Sequence, residues 1–384
     1  MTPRRILPGA DKCPHIPTYL CAVQTDKTDI RTLDLEAITA VLGEWGEKPF
    51  RARQIHEWLW TRAAGSFDDM TNLSKGLRER LAERFELQRI GWAEKQISRD
   101  RTIKCAFDVG NSQVVEGVLI PTSSRMTACI SSQVGCSLAC KFCATGRLKL
   151  MKNLSAGEMY DQVQMIAELA EQHYQTPLTN IVYMGMGEPL LNYKNVLESI
   201  EYITGTPGLG MSPKRITVST AGIAKAIKRL GDDGVRFNLA LSLHAANDQK
   251  RNEIMAINES NNLAVLAEAL RYFHEKTGTR VTFEYILFDG FNDCLDDARE
   301  LAAFCRHVPC KINLIEYNPI DGGEFRKASN EATEAFAGFL ESKNLVVNVR
   351  RSRGKDIDAA CGQLANKNEP GAGSLRKPEV SRPA

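Results

Sequence analysis

Apolar positions along this chain change their period twice. From Leu33 to Leu87 they recur at helical spacing. Leu33, Ile38, Val41, Leu42 and Trp45 make one stripe, and Ile55, Trp58 and Leu59 make another in a helix entered after Pro49. Ser74 is placed to cap a third helix through Leu77, Leu81 and Phe85. Between Lys95 and Ile120 the period falls to two, in the runs Ile97, Ile103, Cys105, Phe107, Val109 and Val114, Val115, Val118, Ile120. Gly110-Asn111 separates the runs as a turn, which predicts a β-hairpin.

From Met126 onward, strand and helix patterns alternate. Strands are predicted near 126–132 and at Asn180–Met184, Arg215–Ser219, Arg236–Leu241, Val281–Leu287, Lys311–Ile315 and Leu345–Val349. Between them run helices, the first opened by the capping box Ser155-x-x-Glu158. Repeated strand–helix units imply a parallel sheet, here an α/β fold with about six units, too few to close an eight-stranded barrel. The chain thus divides into an arm without periodicity (1–30), a helical domain (31–94), a hairpin linker (95–121), an α/β core (122–355) and a C-terminal loop and tail (356–384).

The unusual polar and glycine-rich segments all follow a strand. They are the cysteine-rich loop after 132, Gly185-Met186-Gly187-Glu188-Pro189, Ser219-Thr220, Ser242-Leu243-His244 and Asn318-Pro319. In parallel α/β folds such positions line one mouth, where active sites lie. Arg350, Arg351, Arg353 and Lys355 follow the last strand to the same mouth and suit phosphate. Lys48, Arg51 and Arg53 form a smaller basic turn, read either as a solvated helix start or as an RNA-contacting face.

Composition narrows the class. With 384 residues, 43% hydrophobic and 25% charged, the chain has the profile of a soluble globular protein. A formal charge of +2 does not by itself argue for nucleic acid. No run approaches the roughly 18 apolar residues of a membrane span, and Met1-Thr-Pro-Arg-Arg-Ile-Leu-Pro lacks the apolar centre of a signal peptide. The expected location is the cytoplasm, with no membrane partner.

In that compartment the 11 cysteines are not expected to be structural disulfides. Cys105, Cys294, Cys305 and Cys310 fit simple packing, and Cys13 and Cys21 fall in the arm. Cys136, Cys140 and Cys143 are spaced C-x3-C-x2-C, with Cys129 seven residues upstream and Cys361 far downstream. Thiolates select iron–sulfur clusters and zinc. Two readings stand on spacing alone: a zinc shell completed by Cys129, or a cluster held by three cysteines with one iron open to another ligand.

The C-x3-C-x2-C loop, with Phe142 before its last cysteine, resembles the cluster motif of the radical S-adenosylmethionine (SAM) superfamily. Ser-Ser-Gln-Val-Gly-Cys136, Met184-Gly-Met-Gly-Glu-Pro-Leu-Leu-Asn192, Leu241-Ser-Leu-His-Ala245, Cys310-Lys-Ile-Asn-Leu-Ile and Asp356-Ile-Asp-Ala-Ala-Cys-Gly-Gln-Leu364 extend the likeness to the RlmN family. The likeness runs over about 33–365, departing at Ala245-Ala246-Asn247, where the family usually carries a proline in the middle, and at Met255-Ala256. The resemblance implies a partial (β/α)6 TIM-like radical SAM barrel and methylation of carbon 2 of adenosine in 23S rRNA and tRNA. Adenine-C8 chemistry of the Cfr type is the near alternative, and a zinc-stabilised RNA-binding protein the remote one. The resemblance further implies a [4Fe–4S] cluster on Cys136, Cys140 and Cys143, and two molecules of SAM per turnover. Gly187, Glu188, Ser219, Ser242, Leu243, His244 and Asn318 would contact SAM. Cys361 would carry the methyl group, Glu116 would accept a proton, and Cys129 would resolve the product by a Cys129–Cys361 disulfide. A monomer reduced by a donor such as flavodoxin is the expected context.

Overall fold

The computed structural model describes residues 27–206 and 208–365. Cys13, Cys21, most of the predicted arm and the tail from 366 lie outside the described residues. The arm ends earlier than predicted. Strand β1 (Thr28–Asp29) is already in place, and Ile30 after it is fully buried.

Three helices follow: α1 (Leu35–Glu44), α2 (Phe50–Trp60) and α3 (Lys75–Arg84). Asp34 caps the first by accepting from Ala37 N at 2.7 Å, and Ser74 caps the third by accepting from Leu77 N at 3.3 Å. Strand β2 (Phe85–Glu86) then pairs in parallel with β1. In α2 the fully buried tryptophan is Trp60; Trp58, assigned to the inner stripe by periodicity, is half-buried and donates to Asn72. Trp60 stacks on Tyr202 at 3.6 Å and meets Tyr160 edge-on at 5.3 Å. Arg31 forms a buried ion pair with Asp161 at 2.9 Å. These contacts join the helical domain to the core in one apolar cluster.

The rest is one ten-stranded sheet. Where a single hairpin was predicted, β3 (Gly91–Ile97), β4 (Ile103–Asp108) and β5 (Val114–Pro121) form a three-stranded antiparallel unit. It continues through β6 (Met126–Cys129), so it is part of the sheet and not a separate linker. Its physical role is plain: β5 covers the edge of β6 that an open barrel would leave unpaired. A short clasp, β7 (Gln133–Val134) with β8 (Lys152–Asn153), closes the base of the cysteine loop.

Beyond β6 the pairing is parallel in chain order: β9 (Asn180–Tyr183), β10 (Ile216–Thr220), β11 (Asn238–Ser242), β12 (Val281–Leu287), β13 (Cys310–Glu316) and β14 (Val347–Arg350). The crossovers carry α4 (Ala156–Tyr174), α5 (Tyr193–Thr204), α6 (Ala224–Asp232), α7 (Asp248–Ile254), α8 (Leu263–Thr277), α9 (Leu295–Phe304) and α10 (Asn330–Ser342). The Ser155–Glu158 capping box opens α4. Helix α7 has no apolar period, being almost wholly polar, and hydrophobic pattern could not announce it. Among the described residues no helix is long and apolar enough to cross a membrane.

Candidate active site

A pocket opens beyond the carboxyl ends of the parallel strands. Its wall includes Cys129, Cys136, Cys140, Cys143, Gly187, Glu188, Ser219, Ser242, His244 and Cys361. Several loops, together with β6 and the ends of β10 and β11, therefore supply one cavity.

The cysteine loop is held in shape by backbone approach and by one aromatic anchor. Gly135 has φ +75°, and a side chain there would meet the Lys149 carbonyl oxygen at 2.0 Å, so only glycine fits. Phe142 is buried, edge-on to His244 at 4.7 Å and 5.7 Å from Phe288. Its flanking thiols, Cys140 and Cys143, are left partly accessible. Burial pushes the Cys136 thiol up to about 11 and the Cys140 thiol higher still, with the neighbouring cysteines adding to both. Three mutually interacting, partly accessible thiols fit a thiolate-ligated cluster, since iron would offset the cost of ionising them there.

The Gly185–Pro189 turn is tied into the same wall. Gly187 has φ +97° and would place a side chain 2.5 Å from Gln133 Cβ. Glu188 is buried; Oε1 accepts from Leu190 N at 3.0 Å and Oε2 from Ala221 N at 2.7 Å. Burial raises its pKa against those hydrogen bonds. The carboxylate is thus a strut between the turn and the end of β10. At the ends of β10 and β11, Ser219 and Ser242 bring their hydroxyl oxygens to 3.3 Å. His244 takes φ +55°, and its Nδ1 accepts from Ile286 N at 3.1 Å. Burial, assisted by Arg251, lowers the imidazole to about 3, so it stays neutral.

Two of the residues expected to contact SAM, Leu243 and Asn318, are not among those lining the pocket. Leu243 is in the apolar core, and its backbone carbonyl accepts from Arg251 Nε at 3.1 Å. Asn318 donates to the Cys361 carbonyl at 3.3 Å, which ties the end of β13 to the C-terminal segment.

Cys129 sits in β6 between Val118 of β5 and Val182 of β9. Burial pushes its thiol up to about 12, and the nearby Cys361 adds to that. Cys361 keeps accessible surface on the cavity side. Burial raises its thiol too; Arg350 opposes the rise and Glu284 adds to it. Arg350 and Glu284 stand 3.7 Å apart in the pocket wall.

The segment carrying Cys361 is strapped across the mouth. Asp356 accepts from Ser98 Oγ and Arg99 N, Thr145 donates to the Leu364 carbonyl at 2.6 Å, and Ala144 N donates to the Gly362 carbonyl at 2.7 Å. The expected phosphate patch is largely committed to this strap. Lys355 pairs with Glu316 at 2.6 Å, Arg350 with Glu284, and Arg353 donates to the Asp100 carbonyl, leaving Arg351 exposed with only the Asn330 amide.

Glu116 is fully buried and is not in the pocket wall. Lys104 pairs with its Oε1 at 2.8 Å, and Ala365 N donates to its Oε2 at 2.8 Å. It lies behind the last described residues of the strap. Three charged residues of this region escape hydrophobic patterning: Lys104, Glu284 and Arg251. For Lys104 and Glu284 the signal that would find them is a charge within an apolar strand run, as in Val281-Thr-Phe-Glu284-Tyr; Arg251 lies on the polar helix α7, where no such signal exists. Arg251 is wholly buried, donates to the Leu243 and Ala221 carbonyls and to Asn258, and is felt at Cys140; burial lowers it to about 10. Cys294, assigned to packing, is instead exposed, its thiol 3.0 Å from Asp297 at the start of α9.

Comparison with known proteins decides the family. The model of the ribosomal RNA large subunit methyltransferase N-terminal domain matches residues 28–87, and that of the radical SAM superfamily matches residues 130–305. A probable dual-specificity RNA methyltransferase RlmN of Cytophaga hutchinsonii is 58% identical over 354 residues, 91% of this chain and 97% of the relative. The chain belongs to the RlmN family. A dual-specificity RNA methyltransferase RlmN of Anaeromyxobacter dehalogenans is 43% identical over 90% of this chain and 94% of its own. The crystal structure of a radical SAM methyltransferase from Sphaerobacter thermophilus aligns with a TM-score of 0.82 at 40% identity, covering 88% of this chain and 99% of that one. The fold is thus the radical SAM α/β fold with a mostly parallel sheet and an N-terminal domain, and the protein is a radical SAM RNA methyltransferase of the RlmN family. Membership implies a [4Fe–4S] cluster and SAM.

Proposed function

We propose that this chain methylates carbon 2 of adenosine in 23S rRNA and in tRNA, with Cys361 as the transient methyl carrier. The observation that supports it most is that Cys129 and Cys361 share one cavity with the three cysteines of the loop. A non-catalytic binding protein has no use for that arrangement.

Cys136, Cys140 and Cys143 would hold the cluster, and Ser219, Ser242 and the Gly187–Glu188 turn would form the bed for SAM. When bound, the cluster supplies the one-electron chemistry that activates the S-methyl group for carbon–carbon bond formation, and a flavodoxin-type donor would reduce it. Two molecules of SAM serve each turnover, one of them as methyl donor to Cys361. That transfer needs the Cys361 thiolate, and Arg350 is the group in the wall that favours it. Ser219 and Ser242 offer neutral hydrogen bonds, and the neutral His244 adds no competing cation.

Once the adenine is joined to the Cys361 sulfur through a methylene, Glu116 takes the proton from carbon 2. Its carboxylate sits behind Leu364 and Ala365, so this step requires the Ala365 amide to leave Oε2. Cys129 as thiolate then attacks the Cys361 sulfur. The S–S bond forms, the C–S bond breaks, and its electron pair stays on the methylene carbon, which takes a proton to become the methyl group. Cys129 lies in a strand paired on both sides, a fixed position for the resolving thiol.

The test is anaerobic reconstitution with iron, sulfide, SAM and a reductant, followed by mass spectrometry of nucleosides from added 23S rRNA and tRNA and of the Cys361 peptide. Appearance of 2-methyladenosine and of an S-methylated Cys361 peptide is expected. Formation of 8-methyladenosine would place the chemistry at the other carbon. Full 2-methyladenosine yield from Cys361→Ala would overturn the carrier role.

A further inference from the structure

Two cysteines outside the active site face each other at the opposite end of the sheet. Cys305 opens the turn Cys305–His307 that follows α9, and Cys310 is the first residue of β13, across from Val281 of β12. The chain doubles back between them. Cys310 Sγ lies 3.8 Å from the Cys305 carbonyl oxygen, and the two thiols stand close enough to perturb each other's ionisation. Neither lines the pocket that holds Cys129 and Cys361. They sit at the amino end of β13, whereas the pocket lies beyond the carboxyl ends.

We propose that Cys305 and Cys310 form a separate dithiol redox site, which a small disulfide oxidises to an intramolecular Cys305–Cys310 bond.

The pair is asymmetric in the way that such a reaction needs. Cys310 is partly exposed and has Arg280 beside it, while Cys305 is buried. The neighbouring Cys305 lowers the Cys310 thiol, with Arg280 acting in the same direction, and the same proximity raises Cys305. An accessible, more acidic thiol next to a buried partner is the arrangement of an attacking and a resolving cysteine. Cys310 as thiolate attacks the small disulfide, forming a mixed disulfide and releasing one thiolate. Cys305 then loses its proton and attacks the Cys310 sulfur, closing the protein disulfide and releasing the second thiol. Two protein thiols are oxidised and one small disulfide is reduced to two thiols, so electrons and protons balance.

The experiment uses the full-length holoenzyme, kept anaerobic and incubated with glutathione disulfide, then alkylated and digested. Cys294 serves as an internal control, being an exposed cysteine outside this pair. The expected result is a Cys305–Cys310 peptide that has lost two hydrogens and resists alkylation, while Cys294 carries a single glutathione. In Cys305→Ser, glutathione should remain on Cys310. Methylation of RNA by Cys305→Ser and Cys310→Ser should match that of the parent, since neither residue touches the pocket. Free, alkylated Cys305 and Cys310 alongside a glutathionylated Cys294 would overturn the proposal. Glutathione retained on Cys305 in Cys310→Ser, with none on Cys310 in Cys305→Ser, would overturn the order of attack.

Discussion

Cys361 must ionise to accept a methyl group, and its surroundings oppose that state. Burial and Glu284 raise the thiol, and Arg350 alone among the named neighbours lowers it. Replacing Arg350 by Met removes the favourable charge, so the thiolate fraction at a given pH falls. The rate of Cys361 methylation, read by mass spectrometry of its peptide, should drop in Arg350→Met and its pH profile should move to higher pH. An unmoved profile would remove Arg350 from this role. The Lys104–Glu116 pair calls for a different expectation. Both side chains are buried, so Lys104→Met removes the cation that stands 2.8 Å from a buried carboxylate, a change that costs about 3–5 kcal/mol. Urea denaturation should show that loss, and the double variant Lys104→Met with Glu116→Gln should recover part of it. If the single and double variants unfold at the same midpoint as the parent, the pair contributes nothing to stability.

At the scale of elements, the strap from Arg351 to Ala365 is the part whose position rests on polar contacts. Glu316 is its main tether: it accepts from Ser352 N at 2.6 Å and pairs with Lys355 and Lys327, both at 2.6 Å. Burial pushes this carboxyl up, but the Lys327, Lys355 and Ser352 hydrogen bonds outweigh it and hold the group at about 2. A depressed carboxyl stabilises the fold above its ordinary value near 4.5, and the contribution is lost as pH falls from there towards about 2. Thermal melts of the parent and of Glu316→Gln should therefore differ near neutral pH and converge on acidification. Faster amide exchange in the strap of the variant should accompany the difference. Equal exchange in both would show that Glu316 does not tether it. The cysteine loop needs no such tether, since the Gly135 backbone, the β7–β8 clasp and Phe142 fix it locally.

Across the whole molecule, one sheet carries both the antiparallel unit that buries Glu116 and the parallel strands whose ends form the pocket. The helical domain is fastened to that sheet's outer helices by Trp60, whose stacking on Tyr202 and edge contact with Tyr160 cross the junction. Trp60→Ala should cost roughly 3–5 kcal/mol, read by equilibrium denaturation, through lost burial and the cavity left behind. A loss below about 1 kcal/mol would mean that the domain is held by other contacts, Arg31 with Asp161 above all.

Local chemistry was legible without the fold. The caps at Ser74 and Ser155, the order of strands and helices, and the placing of every unusual segment after a strand are written in neighbouring residues, because capping and periodicity act over a few positions. From them followed an open, mostly parallel barrel with its polar mouth at one end. What the tertiary structure alone decided are the pairings between distant residues. Lys104 with Glu116, Arg251 beneath the Ala221 and Leu243 carbonyls and near Cys140, Asn318 on the Cys361 carbonyl, and Cys305 against Cys310 depend on register, on which face a strand presents and on where a turn doubles back. Periodicity marks a charge in a buried strand as an anomaly but does not name its partner. The same limit explains why the hairpin was expected to stand alone: a strand's edge looks identical in sequence whether water or another strand covers it.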